Sequence, residues 1–134
     1  MSDTYKPLMK GVIAELKGDA GIAAVVSSRV YSNTPQNATF PYLTVAISSS
    51  PFSAIDFSGM EHEISIAAFS RKSDPEEAAN LRSLVFNALD RQESNLSLDS
   101  GNIASLQYTG VGFVEREPDG VTWQALARFR CVIT

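Results

Sequence analysis

Two runs in the C-terminal third, 104–116 and 121–133, constrain this chain more than any other feature. Between them stands Glu117-Pro118-Asp119-Gly120, with Pro at the second position and Gly at the fourth, as a type I turn prefers. Pairing Arg116 with Val121 sets Val114 against Trp123, Gly112 against Ala125 and Gly110 against Ala127. It also sets Tyr108 against Phe129, Leu106 against Cys131 and Ala104 against Ile133. One face is then apolar along the whole hairpin, large against large and small against small. A one-residue slip would turn that face over, so the register is strongly specified. The other face is mixed: Phe113 meets Gln124, Val111 meets Leu126, Thr109 meets Arg128 and Gln107 meets Arg130, with Val132 beside them.

The preceding segments supply what this hairpin packs against. Leu8, Val12, Ile13 and Leu16 recur at helical spacing, which predicts a helix over 5–17. Gly18 stops it, and Asp19 is placed to cap a short second helix over 20–26. Arg29-Val30-Tyr31 reads as a brief strand and Ser32–Thr39 as loop. From Phe40-Pro41 onward Leu43, Val45 and Ile47 alternate with Thr44, Ala46 and Ser48, the period of a strand. Residues 48–59 read as loop by their Ser, Pro and Gly content, yet contain Phe52, Ile55 and Phe57. Residues 60–70 form a strand with His62, Ile64, Ile66 and Ala68 on one face. Ser73-Asp74-Pro75-Glu76-Glu77 is a helix start with capping-box spacing between Ser73 and Glu76. The stripe Leu81, Leu84, Val85, Ala88, Leu89 then runs to Asp90, followed by polar loop over 91–101. This order predicts an α+β fold in one domain, 1–134: an antiparallel β-sheet with helices packed on one face and a C-terminal β-hairpin.

Composition narrows function mainly by exclusion. With Lys+Arg 11 against Asp+Glu 15, the net charge of −4 argues against a general nucleic-acid binder. One Cys and one His rule out an internal disulfide, a Cys-rich zinc site and a multi-His metal cage. That pair, His62 and Cys131, has inward-facing parity on strands, where a core role is expected rather than nucleophilic chemistry. Gly110-Val111-Gly112 lacks the fingerprint of a phosphate loop. Within a strand it marks close packing, with Trp123 the candidate to lie over the gap. Glu61 and Glu63 alternate on a strand face, and Glu76 and Glu77 suit the first turn of a helix. No catalytic residue, metal or cofactor is assigned. The N-terminus lacks an apolar leader, and no run approaches the roughly 20 apolar residues of a membrane span. The expected setting is therefore a reducing cytoplasm, without a membrane partner.

Two surfaces remain. Arg116, Arg128 and Arg130 form a stripe on the hairpin, either paired with acidic side chains or offered to a protein partner. The apolar residues of 48–59 either fold back on the core or wait for a partner. Charged residues are only 19% of the chain, against roughly 25% for an ordinary domain. The missing charge falls on the hairpin's mixed face and on 48–59. The candidate interface is therefore Phe52, Ile55, Phe57, Val111, Phe113, Leu126, Arg128 and Arg130.

Several fragments carry a resemblance. Arg29-Val30-Tyr31 is followed by a polar loop and Phe40-Pro41-Tyr42-Leu43-Thr44-Val45. Phe69-Ser70-Arg71 runs into the helix Pro75–Leu89, with Glu77-Ala78 near its start and Ala88-Leu89 near its end. Arg116-Glu117-Pro118-Asp119-Gly120-Val121-Thr122-Trp123 precedes a strand with Arg128-Phe129-Arg130. In this order and at this length the chain resembles the tail-terminator (tail-completion) proteins of long-tailed phages and gene transfer agents. The resemblance implies an α+β fold and no enzyme chemistry. It also implies a ring, typically a hexamer, that caps the tail tube and stops its growth. The ring's other side meets the head-completion protein. Partners would then be further copies of the chain, the tube protein and the head-completion protein, with no specific nucleic-acid binding. Its place would be the head-proximal end of the virion tail, reached by assembly in the host cytoplasm. The alternatives are a head-completion or connector protein of the neck, or a protein-interaction domain unrelated to phage.

Overall fold

The computed structural model describes residues 3–53 and 58–134, without the side chains of Phe52 and Ser53. Helix α1 (Tyr5–Gly18) and helix α2 (Ala20–Val26) lead into a short strand β1 (Val30–Tyr31). Two long strands follow, β2 (Tyr42–Ser53) and β3 (Ser58–Ser70), then helix α3 (Glu76–Leu89), a single 3-10 turn (Glu93–Asn95), β4 (Ile103–Arg116) and β5 (Trp123–Ile133). The strands form one five-stranded sheet in the order β1-β2-β3-β5-β4. All neighbours are antiparallel except β1, which runs parallel to β2. The sheet is thus mixed at one edge, because the chain crosses over through 32–41 instead of turning back in a hairpin.

The core lies between the three helices and one face of this sheet. Leu8, Val12 and Leu16 of α1, Ile22 and Val26 of α2, and Leu81, Val85 and Leu89 of α3 are buried. They meet Leu43, Val45, Ile64, Ile66, Ala125, Ala127 and Phe129, the inward set that strand alternation predicts. α1 lies over β2, and α3 over β3 and β5. The Asp19 carboxylate accepts the Ile22 N–H at 3.0 Å, as its capping role requires. The capping box before α3 does not form. The helix starts after Pro75, which leaves Ser73 outside it, and Asp74 accepts the Glu76 N–H at 2.9 Å instead.

The hairpin keeps its turn and changes its register. The Gly120 N–H donates to Glu117 O at 3.0 Å. The connection then runs on to Thr122, because the Asp119 carboxylate also gathers the N–H groups of Val121 and Thr122 and the Thr122 hydroxyl. Arg116 therefore faces Trp123, Val114 faces Ala125 and Gly112 faces Ala127, two residues from the expected pairing. A bulge at Thr109–Val111 absorbs the difference, with Gly110 at φ +86°, a conformation that favours glycine. Below it Tyr108 meets Phe129 and Leu106 meets Cys131, as the sequence predicts. At the far end Ile103 faces Ile133 in place of Ala104. The slip of two is even, so residues above and below the bulge keep their expected faces.

The expected loop at 48–59 is also revised. β2 continues through Ser53 and β3 begins at Ser58, with Ser48, Ser49 and Ser50 opposite Glu63, His62 and Glu61. A backbone ladder bonds regardless of side-chain polarity, so a serine run does not break it. Phe52 belongs to this ladder opposite Gly59, while Ile55 and Phe57 lie outside the described residues.

Candidate functional site

Helices cover one face of the sheet and leave the other uncovered. The alternation of four long strands fills this second face in rows, each row crossing the sheet. The first is Tyr42, Phe69, Gln124 and Glu115, and the second Thr44, Ala67, Leu126 and Phe113. The third carries Ala46, Ser65 and Arg128 beside the bulge. The fourth is Ser48, Glu63, Arg130 and Gln107, and the fifth Ser50, Glu61, Val132 and Ser105. One end of the face is therefore aromatic and aliphatic, and the other is a charged and serine-rich ladder.

The candidate residues of the hairpin all belong here, in different settings. Val111 and Phe113 are exposed, at 45% and 36%. Leu126 sits between Ala67 and Phe113 and is buried, so it supports the apolar row from beneath. Arg130 Nε donates to Glu61 Oε1 at 2.6 Å, and this bond holds the Glu61 carboxyl below its usual pKa. Arg128 Nε lies 3.9 Å from Glu63 Oε1 and is shielded from solvent without a hydrogen-bond partner. Both arginines thus pair with glutamates across the β3–β5 seam. Arg116 does not join them. Its even parity puts it on the helix side, with its guanidinium 4.8 Å from the centre of the Trp123 ring.

The gap at Gly112 is closed by other groups than Trp123. Arg82 of α3 donates from Nε to Leu126 O at 2.8 Å and from Nη2 to Tyr108 Oη at 2.7 Å. Tyr108 in turn meets Phe86 and Phe129 edge-on, with ring centres 5.3 and 5.8 Å apart. This clamp joins α3 to the edge of the sheet beside the bulge.

His62 and Cys131 are cross-strand neighbours, and both are fully buried. His62 Nε2 lies 2.8 Å from Thr4 Oγ1, and Nδ1 lies 2.7 Å from Ser49 Oγ. Burial lowers the imidazole pKa against a small opposing pull from Asp3. Burial also pushes the Cys131 thiol up to about 12, so at neutral pH the sulfur is not a thiolate. His62 ties the start of α1 to β2. Among the described residues no group of three His, Cys, Asp or Glu side chains is placed to hold a metal ion. Among the described residues no helix is long and apolar enough to cross a membrane.

One cluster escaped the sequence reading. Tyr42 stacks on Phe69 with ring centres 5.2 Å apart, and also touches Phe40 at 5.0 Å and Tyr31 at 5.9 Å. Arg71 lies over the Phe40 ring at 4.3 Å and donates from Nε to Thr122 Oγ1 at 3.1 Å. Arg29 Nε donates to Pro41 O at 2.9 Å. Parts of four fragments that carry the family resemblance, 29–31, 40–45, 69–71 and 116–123, therefore meet at one end of the sheet. The sequence signal for it is the placing of Tyr31, Phe40, Tyr42 and Phe69 at or beside strand ends.

A five-stranded sheet with helices packed on one face, and with Arg128 and Arg130 facing Glu63 and Glu61 on the other, defines a two-layer α+β protein. The chain matches the family model described as tail completion protein gp17 over residues 10–134, and it belongs to that family. It is accordingly a structural protein of a phage-type tail. Its fold is similar to a chain in a solved structure described as the virion of a native gene transfer agent particle. The TM-score is 0.87 and the identity 20%, over 99% of this chain and 98% of that one. No curated protein matches the sequence.

Proposed function

We propose that residues 1–134 act as one tail-terminator-like domain, and that copies of it form a ring, a hexamer by the family resemblance, on the end of the tail tube. The ring stops addition of tube protein and presents its far side to the head-completion protein. It sits at the head-proximal end of the tail after assembly in the host cytoplasm. Membership of the tail completion family carries this reading. The physical support is the uncovered sheet face, with Val111 and Phe113 exposed at one border. A closed ring repeats one heterologous contact, so each copy must offer two different patches. Val111, Phe113, Leu126, Arg128 and Arg130, together with Phe52, Ile55 and Phe57, are the proposed contact residues.

Electron microscopy of particles assembled without the protein tests the proposal. Abnormally long tails support a terminator. Headless tails of normal length would instead make it a connector of the neck, and normal particles would remove it from the virion altogether. Neighbouring genes for tail and head-completion proteins separate both phage roles from a domain unrelated to phage.

A further inference from the structure

β4 is an outer strand of the sheet, and its two halves are treated differently. Up to Tyr108 its outward backbone is already occupied. The Arg91 N–H donates to Leu106 O at 2.8 Å. The Glu93 carboxylate accepts the Leu106 N–H at 3.0 Å, and the Asp90 carboxylate accepts the Tyr108 N–H at 2.8 Å. The segment after α3 thus seals this half. Beyond the bulge the seal stops. Gly112–Arg116 pairs with β5 on one side, and among the described residues nothing pairs with its other side. Proteins usually blunt such an edge with Lys, Pro or a covering loop. This half has neither Lys nor Pro; its charged residues, Glu115 and Arg116, stand at the turn end, and towards the bulge Val111 and Phe113 are exposed.

The opposite edge of the sheet is open at its other end. β1 pairs only with Leu43 and Thr44. From Ala46 to Ser50 the outer side of β2 has no strand beside it among the described residues, and Pro51, which has no N–H, ends the stretch. Gly112–Arg116 and Ala46–Ser50 are equal in length. β2 and β4 run in opposite directions within one copy, and Phe113 lies level with Ala67 and Thr44 while Ala46–Ser50 lie further along the strands, so rotation about an axis inclined to the strands, which shifts neighbouring copies along them, brings the two stretches together antiparallel. The side chains that Phe113 would meet on the uncovered face are Ala46, Ser48 and Ser50, all small, which leaves room for the ring.

We propose that Gly112–Arg116 of one copy pairs with Ala46–Ser50 of the next, so that the sheet continues from copy to copy; the proposal rests on the ring reading above. The contact is heterologous, as ring closure requires. Pairing β4 with β4 would instead be isologous, would close a dimer, and would leave the β2 edge open.

Co-expression of two full-length chains with different tags tests it, one carrying Phe113→Cys and the other Ala46→Cys, Ser48→Cys or Ser50→Cys in turn to cover the register. Cys131 is buried and does not compete. After mild oxidation a disulfide between the two tags is expected for at least one pair, in the fraction that sediments as an oligomer alone or on purified tail tubes. The double variant V111K/F113K is expected to lose assembly at least tenfold with an unchanged circular dichroism spectrum. Oligomers in which Phe113→Cys links only to itself, or to none of the three β2 positions, overturn the edge pairing and leave the ring reading standing. Unmodified protein that stays monomeric both alone and with tail tubes overturns the two together.

Discussion

Replacing Gly112 with Ala tests the clamp that fixes the sheet edge. Its φ is not in the left-handed range, so the substitution meets no backbone strain. The obstacle is space. A Cβ at this position would lie 2.5 Å from Arg82 Nη2, 2.7 Å from Leu126 O and 2.7 Å from Tyr108 Oη. Leu126 O is main chain and cannot swing aside. Arg82 could, but it is held at both ends by its bonds to Leu126 O and Tyr108 Oη. Overpacking of this kind costs about 1–3 kcal/mol. Each bond lost if Arg82 leaves costs about 0.5–1.5 kcal/mol net. Lower entropy of the unfolded chain returns about 0.4–1 kcal/mol. The net expectation is a loss of about 2 kcal/mol. For a chain of 134 residues this corresponds to a fall in Tm of about 6 °C.

Urea denaturation followed by tryptophan fluorescence measures this, with a lower midpoint and an unchanged slope as the expected pattern. A double-mutant cycle then locates the cost. With Arg82→Ala in place one of the three obstructing atoms is gone, so Gly112→Ala should cost less by about 1 kcal/mol. Gly110→Ala is the control: nothing lies within 4 Å of its Cβ position, and only the positive φ of +86° opposes it. If Gly112→Ala is within about 0.5 kcal/mol of the unsubstituted protein, or adds independently to Arg82→Ala, the clamp does not hold the edge as described.

Other expectations follow from single groups. Cys131 should resist a thiol reagent at pH 8 until denaturant is added, and reaction at the rate of a free thiol would mean that the β3–β5 seam opens readily. His62 is buried with its pKa lowered below 6.5, so the unfolded chain binds its proton more tightly than the folded one. Its contribution is complete above pH 6.5 and falls as the pH drops through the unfolded value towards the folded one. His62→Gln should flatten the stability profile in that window, and an unchanged profile would exclude His62 as the cause. Arg130→Ala should leave Tm nearly unchanged, because its pair with Glu61 is exposed, and a large fall would show that the pair is structural. Changing Phe52, Ile55 and Phe57 together to Ser should impair assembly on tail tubes with the circular dichroism spectrum retained; full assembly would remove them from the interface.

Much of the fold is legible because alternation reports faces and little else. The inward sets of β2, β3 and β5 follow directly from period two, and the helices from their apolar stripes. The same property hides the bulge. A slip of two residues leaves every alternation intact, so no pattern of apolar and polar residues can distinguish Val114 against Trp123 from Val114 against Ala125. What decides it is the Asp119 side chain, which gathers Val121 and Thr122 and lengthens the turn. Over 48–53 and 58–59 the expected loop is strand for a related reason: serine content describes solvation, while a ladder is made by the backbone. Arg128 and Arg130 find Glu63 and Glu61 because β3 lies beside β5, an adjacency that neither local sequence discloses.

The aromatic cluster and the bare face connect these points. Tyr31 of β1, Phe40 just ahead of β2, Tyr42 at its start and Phe69 of β3 meet, and Arg71 reaches from beyond β3 to both Phe40 and Thr122. A group tying four segments together at one end of a sheet fixes the height and tilt of that end. The Arg82–Tyr108 clamp does the same at the border strand. The aromatic cluster lies where the sheet lacks helix cover, so positions there are held by rings and a guanidinium group, while the clamp works from α3 itself. Such bracing suits the proposed role of this face, which would present one fixed shape to neighbouring copies. Glu61 and Glu63 on this face stand against Arg130 and Arg128 across the β3–β5 seam. A partner covering them would strip water from paired charges, at lower cost than from isolated ones.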